Sequence, residues 1–345
     1  MQTLTRSQPW FGGLGLLFAL FFTFISPSHA ETTTEGKVVG GVEHEMPEWF
    51  KESFLEIQED VKEASAGNKH VMLFFHLNNC PYCDKMLKDN FLQEPSKTYI
   101  QENFDVIAIN VKGDRQVQYS KELAFSEKEL ADELEVALTP TISFINSENK
   151  TVARLNGYRS PEQFKPVLDY VAKQIYKTES LSDYLAKQPQ SDQYTLRPNE
   201  LFQPLKDLSS IKTPLAVIFE SNTCSDCAYF HDTLLQDEAI KTEFKALTVV
   251  RFDANDSTEI IDVNGQKTTP KDWLKQLKLS YQPGMVFFDE GKEVTRLEGK
   301  LFNFHFQQLL NYVSSQGYKE HSFPAHLGLR QAELLQQGKT VDISE

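Results

Sequence analysis

The residues best suited to chemistry are the four cysteines of this 345-residue chain, which form two Cys-x-x-Cys motifs. Cys80 and Cys83 make the first motif, and Cys224 and Cys227 make the second. Two thiols at this spacing can alternate between a dithiol and a disulfide, and so exchange disulfides with other molecules. The same spacing also supplies half of a zinc site, so one zinc ion held by all four cysteines is the alternative. No cysteine is left over for a structural disulfide elsewhere.

The first motif lies where a buried strand is predicted to lead into a helix. Residues 71–75 form an apolar run with the length and composition of a strand, and an amphipathic helical pattern begins at Met86. Cys80 is therefore expected at a helix N-terminus, where unpaired N–H groups and the helix dipole favour an anionic sulfur. Cys83, one helical turn further on, is then placed to attack a mixed disulfide formed at Cys80.

The second motif repeats this arrangement within residues 215–235. In each copy a proline, Pro140 or Pro283, follows at nearly the same distance and opens an apolar strand. Each copy then continues to a matched glycine, Gly157 or Gly299, and a closing helix. The period of about 140 residues far exceeds that of solenoid repeats, so the sequence predicts two tandem domains.

Length and charge agree with two soluble domains and exclude one class of partner. A chain of 345 residues can bury two cores. Its net charge of -14 argues against a nucleic-acid binder, which needs a basic surface. The predicted division comprises a signal peptide (1–30), a first domain (44–176), a linker (177–199), a second domain (200–318) and a C-terminal tail (319–345).

The N-terminus has the pattern of an export signal. Arg6 precedes an apolar segment at residues 11–25, and a small-x-Ala sequence ends at Ala30, after which cleavage is predicted. The apolar segment is short for a bilayer span, although an uncleaved membrane anchor is the alternative. An exported, disulfide-permissive location follows, which for a bacterial-type signal is the periplasm.

Four other segments have weaker patterns. Residues 31–45 are polar and are predicted to be a flexible lead, and residues 47–66 form an amphipathic pattern that predicts a helix ending near Gly67. The linker is predicted to contain at most one short helix, and a helix is expected over residues 330–337 of the tail.

Each copy has a strand, a Cys-x-x-Cys motif at the start of a helix, and a strand opened by X-Pro some 60 residues later. In this order the elements of each copy resemble the thioredoxin fold. The resemblance covers nearly all of residues 44–318 and implies an α/β fold, with a central mixed β-sheet flanked by helices in each domain. The first copy is most similar to exported thioredoxin-related proteins of the SoxW type. That similarity rests on Phe-Phe-His before Asn-Asn-Cys-Pro-Tyr-Cys, on Gly113-Asp114-Arg115, on Thr139-Pro140-Thr141 and on Leu155-Asn156-Gly157-Tyr158. Two such domains also resemble the layout of protein disulfide isomerases.

The resemblance implies further site residues. It implies that Pro140 and Pro283 are cis and that their loops face the cysteines. The residues implied to contact substrate are Pro81, Tyr82, Thr139, Pro140, Gln282 and Pro283. Phe74 and Ile218 stand where thioredoxins carry a buried acid, so His76 and Glu220 are candidate proton acceptors, or side chains that merely point into solvent. Asp226 adds negative charge beside Cys227, which disfavours a thiolate there.

These features predict an exported thiol–disulfide oxidoreductase acting on protein substrates, with the reductase direction preferred. The catalytic residues would be Cys80, Cys83, Cys224 and Cys227, with no metal or organic cofactor. A membrane or thioredoxin-like electron carrier would reset the disulfides. The alternatives are an isomerase or oxidase, and a non-catalytic binding module whose disulfides only stabilise the fold; in the second domain the pair could also be purely structural.

Overall fold

The computed structural model describes residues 35–188 and 194–344. The predicted signal peptide and its cleavage site after Ala30 lie outside the described residues. A two-residue strand, β1 (Val38–Val39), precedes the first domain. The elements of that domain follow in this order: α1 (Ile57–Ala66), β2 (His70–His76), α2 (Pro81–Met86), a π-helical segment (Leu87–Phe91), α3 (Ser96–Asn103), β3 (Phe104–Asn110), β4 (Gln116–Gln118), β5 (Ala124–Ser126), α4 (Glu127–Glu133), β6 (Thr141–Ile145), β7 (Thr151–Asn156) and α5 (Pro161–Ala172).

A short connecting helix, α6 (Leu181–Leu185), confirms the short helix predicted in the linker. The second domain then repeats the order of the first from its central strand onward, and no helix in residues 194–214 corresponds to α1. Its elements are β8 (Leu215–Glu220), α7 (Cys227–Asp232), α8 (Glu238–Lys245), β9 (Thr248–Asp253), β10 (Ile260–Ile261), β11 (Lys267–Thr268), α9 (Pro270–Gln276), β12 (Gly284–Asp289), β13 (Lys292–Leu297) and α10 (Asn303–Ser314). The helix α11 (Phe323–Gln336) and the strand β14 (Val341–Asp342) end the chain.

Each domain is built on a four-stranded mixed sheet, in the orders β3-β2-β6-β7 and β9-β8-β12-β13. In the first sheet β2 pairs in parallel with β3 and antiparallel with β6. In the second sheet β8 pairs in parallel with β9 and antiparallel with β12. Alternate residues of β2 enter different apolar clusters, Met72 and Phe74 on one face and Leu73 and Phe75 on the other. This alternation follows from the twofold period of a strand, and it explains why β2 is apolar along its length. The predicted fold is confirmed.

The helix predicted over residues 47–66 is wrong in its first half. The helix begins only at Ile57, and Leu55 before it has a left-handed φ of 62°. The N–H of Lys51 donates to the Val106 carbonyl, a bond that a helix would have made internally. Phe54, which fitted the helical pattern, is 97% exposed.

The polar lead and the tail are ordered together. β1 pairs in parallel with β14, so that Val38 lies opposite Val341. Val38 and Val39 of the lead are therefore strand-paired, and the flexible lead predicted from composition is wrong for these two residues. The tail helix also starts earlier than predicted, at Phe323, and Phe323 packs against Tyr312 of α10. The predicted domain boundaries are not themselves tested and stay predictions.

Candidate active site

The first cysteine pair lies at the start of α2, as predicted. Cys80 is the N-cap residue, and its Sγ accepts a hydrogen bond of 3.1 Å from the N–H of Cys83. The two cysteines form a disulfide. Cys80 is 5% exposed, whereas Cys83 is completely buried. An N-terminal helical N–H directed at Cys80 stabilises negative charge on that sulfur once the disulfide is reduced.

The Thr139–Pro140 loop faces this pair. The Sγ of Cys80 lies 3.5 Å from Thr139 Oγ1 and 3.7 Å from the Thr139 carbonyl oxygen. The Thr139–Pro140 and Gln282–Pro283 peptide bonds are both cis, which confirms the implied geometry. A third cis bond, Glu94–Pro95, was not predicted. The predicted substrate contacts of Thr139 and Pro140 stay predictions, and the loop is placed where they would require it.

The second pair, Cys224 and Cys227, also forms a disulfide but is positioned differently. The helix α7 begins at Cys227 itself, with Asp226 as its N-cap. The predicted order of strand, turn, Cys-x-x-Cys and helix is confirmed, but Cys224 lies before the helix and is not its N-cap residue. Asp226 stands at the N-cap position of α7, but its side chain makes no capping hydrogen bond there.

The second disulfide is covered by the end of the linker. Tyr194, 6% exposed, packs with Cys224 and Cys227 in a separate apolar cluster. The N–H of Tyr194 donates to the Asn222 carbonyl at 2.7 Å, which fixes this segment beside the turn before Cys224. Burial raises the pKa of Tyr194 to about 12. Tyr194 was not predicted as a site residue, because a single aromatic in a polar linker carries no periodic signal.

Asp226 is held by groups from both domains. Its Oδ2 accepts hydrogen bonds from the Tyr281 hydroxyl at 2.7 Å and from Gln163 Nε2 at 2.8 Å. The ammonium group of Lys300 lies 3.8 Å from Oδ1. The negative charge expected beside Cys227 is thus present but is bound by two donors and a cation. Gln163 belongs to the first domain and was not identified from the sequence.

Tyr82, in the corresponding position of the first motif, is buried against the second domain. Its ring stacks on Phe302 with centroids 4.5 Å apart, and its hydroxyl accepts a 2.7 Å hydrogen bond from the Phe302 N–H. The hydroxyl also lies 3.3 Å from Nδ1 of His305. Burial raises the pKa of Tyr82 well above its usual range and lowers that of His305 to about 4. The predicted contact of Tyr82 with substrate stays a prediction, and the 5% exposure of its side chain weighs against it in this conformation.

The two candidate proton acceptors have different surroundings. His76 stacks on Phe74 and lies edge-on to His44, and its pKa is lowered to about 4, chiefly by burial. Glu220 is fully buried, and its Oε1 lies 2.8 Å from Nε2 of His231. The alternative in which Glu220 points into solvent is therefore wrong. His231 is itself 4% exposed.

The remaining predicted substrate contacts are Pro81, Gln282 and Pro283. Pro81 is the first residue of α2. Gln282 is half-buried, and Pro283 borders a water-sized cavity of about 20 Å³ that Asp226 and Lys300 also line. Their contact with substrate stays a prediction. Within residues 35–188 and 194–344, no three His, Cys, Asp or Glu side chains are grouped to hold a metal ion, and no helix is long and apolar enough to cross a membrane.

Each domain has a thioredoxin-type sheet and a Cys-x-x-Cys pair that forms a disulfide. A cis-proline loop lies opposite the pair in the first domain and near it in the second. Together these features define a thiol–disulfide oxidoreductase. The family model described as the thioredoxin-like domain matches residues 57–172 and again residues 201–314, and the chain belongs to this family. The prediction of a tandem thioredoxin-fold protein is confirmed.

Several solved structures are similar to one domain of the chain. A thioredoxin-fold protein from Helicobacter pylori is 28% identical, with 40% of this chain and 92% of that one covered and a TM-score of 0.31. A thioredoxin from Thermus thermophilus is 28% identical, with 33% and 81% covered and a TM-score of 0.27. The periplasmic thioredoxin SoxS from Paracoccus pantotrophus is 19% identical, with 30% and 98% covered and a TM-score of 0.23. Likenesses of this size do not define a function. No curated protein matches the chain.

Proposed function

We propose that the protein is a periplasmic reductase of protein disulfides, with Cys80 as its principal nucleophile. The observation that carries this proposal is the position of Cys80 at the N-terminus of α2, with Cys83 buried behind it and Thr139 opposite. An attacking sulfur needs stabilised negative charge and some access, whereas a resolving sulfur needs only to reach the first one. Cys80 is therefore placed as the attacking sulfur and Cys83 as the resolving sulfur.

The reaction balances as a two-electron exchange. In the reduced protein, the Cys80 thiolate attacks one sulfur of the substrate disulfide and forms a mixed disulfide, and the other substrate sulfur leaves as a thiolate that takes up a proton. Cys83, as a thiolate, then attacks the Cys80 sulfur and forms the Cys80–Cys83 disulfide. The second substrate sulfur leaves and is protonated. The substrate has gained two electrons and two protons, and an external dithiol carrier must reduce Cys80–Cys83 again.

A trapping experiment tests exchange with proteins. In Cys83→Ser the mixed disulfide at Cys80 cannot be resolved, so we expect covalent adducts with client proteins that disappear on reduction. The matched control is Cys80→Ser, which should trap little at the first site. If neither Cys83→Ser nor Cys227→Ser yields adducts while client binding persists, the domains are a binding module instead.

The direction of exchange is tested by the reduction potential of each pair, isolated with Cys-to-Ser substitutions in the other pair. A value near about -270 mV supports the reductase, whereas about -180 to -120 mV supports an isomerase or oxidase. The periplasmic location is inferred from the signal pattern at residues 1–30. It is tested by fractionating cells and sequencing the mature N-terminus, which should begin after Ala30; recovery of uncleaved protein in the membrane fraction would support the anchor.

A further inference from the structure

The two active-site faces of the chain pack against each other through corresponding residues. Tyr82 and Asp226 are each the second residue between a pair of cysteines. Tyr82 contacts His305, the third residue of α10, and Asp226 accepts a hydrogen bond from Gln163, the third residue of α5. Each motif thus reaches the first turn of the closing helix of the other domain. The contact has an approximate twofold symmetry, which makes it self-complementary.

The centre of this contact is formed by Gly157 and Gly299. The adjoining residues, Tyr158 and Lys300, make an antiparallel bridge between the domains. A Cβ built on Gly299 would lie 2.4 Å from the carbonyl oxygen of Asn156, and its next neighbours, Nη1 of Arg159 and Cα of Gly157, also belong to the first domain. The backbones approach so closely that only glycine fits at position 299. Sequence comparison of the two copies identifies these glycines but not their contact.

A buried arginine spans the interface. Arg159 is 2% exposed, donates a 2.5 Å hydrogen bond from Nη2 to the Glu298 carbonyl, and lies over the Tyr281 ring at 4.4 Å. Gln163 adds a 2.9 Å hydrogen bond to Ser225 beside Cys224. Many of these contacts are hydrogen bonds to backbone or polar groups, which water can replace when the surfaces separate. The contact also has an apolar part, since one apolar cluster includes residues of both domains and Tyr82 stacks on Phe302, so opening exposes apolar surface as well as polar groups.

We propose that this contact is a closed form of the protein, in which each Cys-x-x-Cys face is the docking partner of the other and clients reach Cys80 only after the domains separate. The inference rests on the proposed function, because it assumes that clients dock on these faces. The second domain covers Tyr82, which lies between the two cysteines, and Cys80 two residues away is only 5% exposed, so access of a client to this motif is restricted in this form. Opening of the contact breaks no covalent bond.

The experiment uses Gly299→Ala in the full chain, with Gly328→Ala as the matched control. The added methyl at position 299 meets only first-domain atoms among its nearest neighbours, so it should push the domains apart. At Gly328, in α11, a Cβ meets nothing within 4 Å. Both variants also carry Cys224→Ser and Cys227→Ser, so that only the first pair is measured. The reduced proteins are alkylated with N-ethylmaleimide and with a maleimide attached to a long polyethylene glycol.

We expect Gly299→Ala to react about tenfold faster with the polymer-linked reagent, because the open population rises, with a smaller change for N-ethylmaleimide. Small-angle scattering should show a larger radius of gyration, and Gly328→Ala should match the parent in both measurements. Equal alkylation rates in folded Gly299→Ala and Gly328→Ala, with unchanged scattering, would overturn the closed form. If Gly299→Ala does not fold, His305→Ala, which removes the ring beside Tyr82, replaces it with the same criteria.

Alkylation separates this inference from the proposed function. Faster alkylation without any exchange of protein disulfides would support the closed form and reject the reductase. Reduction of a protein client at equal rates by Gly299→Ala and Gly328→Ala, with equal alkylation, would support the reductase and reject the closed form.

Discussion

The two Cys-x-x-Cys sites of this protein lie on the same strand–turn–helix arrangement, yet they differ in almost every contact outside the motif. Cys80 caps a helix and faces Thr139, whereas Cys224 precedes its helix and lies under Tyr194. A buried Glu220–His231 pair lies in the second domain, where the first has His76 and Leu87 at the corresponding positions. The fold therefore places the sulfurs, and residues from neighbouring segments set how each pair can react.

The largest difference is expected when each nucleophile is removed. Cys80→Ser should lower the reduction of insulin disulfides at least about 100-fold, since a serine hydroxyl supplies no thiolate. Cys224→Ser should leave the rate within about twofold, because Tyr194 covers that pair and Asp226 occupies its helix cap. Both variants are assayed with the same external dithiol. Comparable losses in the two variants would mean that the sites are functionally equivalent.

The buried pair of the second domain should contribute to stability as a unit. Glu220→Leu leaves the imidazole of His231 without its 2.8 Å partner and should cost about 1–3 kcal/mol of unfolding free energy. Adding His231→Leu reproduces the apolar residue of the first domain, Leu87, and should recover part of that loss. Urea unfolding of the wild type, both single variants and the double variant gives the coupling energy. Additive effects would show that the pair is not coupled.

His76 should make the first domain sensitive to acid. Its pKa is about 4 in the folded protein, chiefly through burial, with His44 and Arg115 lowering it further and Glu127 opposing them. The unfolded value is about 6.5, so the unfolded state binds the proton first, and stability falls as pH drops from about 6.5 towards 4.

Between pH 7.5 and 5.5 this histidine should account for a loss of about 1 kcal/mol. His76→Gln should remove that part of the loss, as measured by urea unfolding at both pH values. His70, His305 and His326 also have lowered pKa values and contribute alike in both proteins, so they cancel in the comparison. An unchanged pH dependence in His76→Gln would contradict the prediction.

The cover over the second disulfide should slow its reduction. Tyr194→Ala should increase the rate at which dithiothreitol reduces Cys224–Cys227 by about three- to fivefold, because access to the sulfur improves. Tyr194→Phe is the control, since the Tyr194 hydroxyl is buried and has no hydrogen-bond partner among the described residues. Timed alkylation and mass spectrometry distinguish the two pairs. A rate that is the same in the alanine and phenylalanine variants would show that the ring does not shield the disulfide.

The smallest effect is expected at the residue before the first cis-proline. Thr139→Val removes the hydroxyl 3.5 Å from the Cys80 sulfur but keeps the size of the side chain. A weak contact of this kind should shift the reduction potential of the first pair by only about 10 mV, or roughly 0.5 kcal/mol. The second pair in the same protein is the internal reference. A shift above about 30 mV would mean that the hydroxyl contributes much more to the redox balance.

Features that depend on residues close together in the chain were predictable from the amino-acid sequence. Both sheets were predicted from the apolar run before Cys80, the helical pattern after it and the repeated X-Pro strand. This was possible because the periods of strands and helices depend on residues that are close together in the chain. The same local reasoning failed at residues 47–56, where Leu55 adopts a left-handed φ and the segment bonds to β3 instead of to itself. A periodic pattern alone does not show that the backbone of a segment bonds to a distant strand instead of forming a helix.

The tertiary structure decided which residues surround each sulfur. Tyr82 meets Phe302, Gln163 meets Asp226, and Gly299 meets Asn156, and every one of these pairs joins segments more than 60 residues apart. Contacts of that kind depend on how two folded domains fit together. Neither the amphipathic period of an element nor the spacing of a motif encodes that fit, because both are properties of one segment at a time.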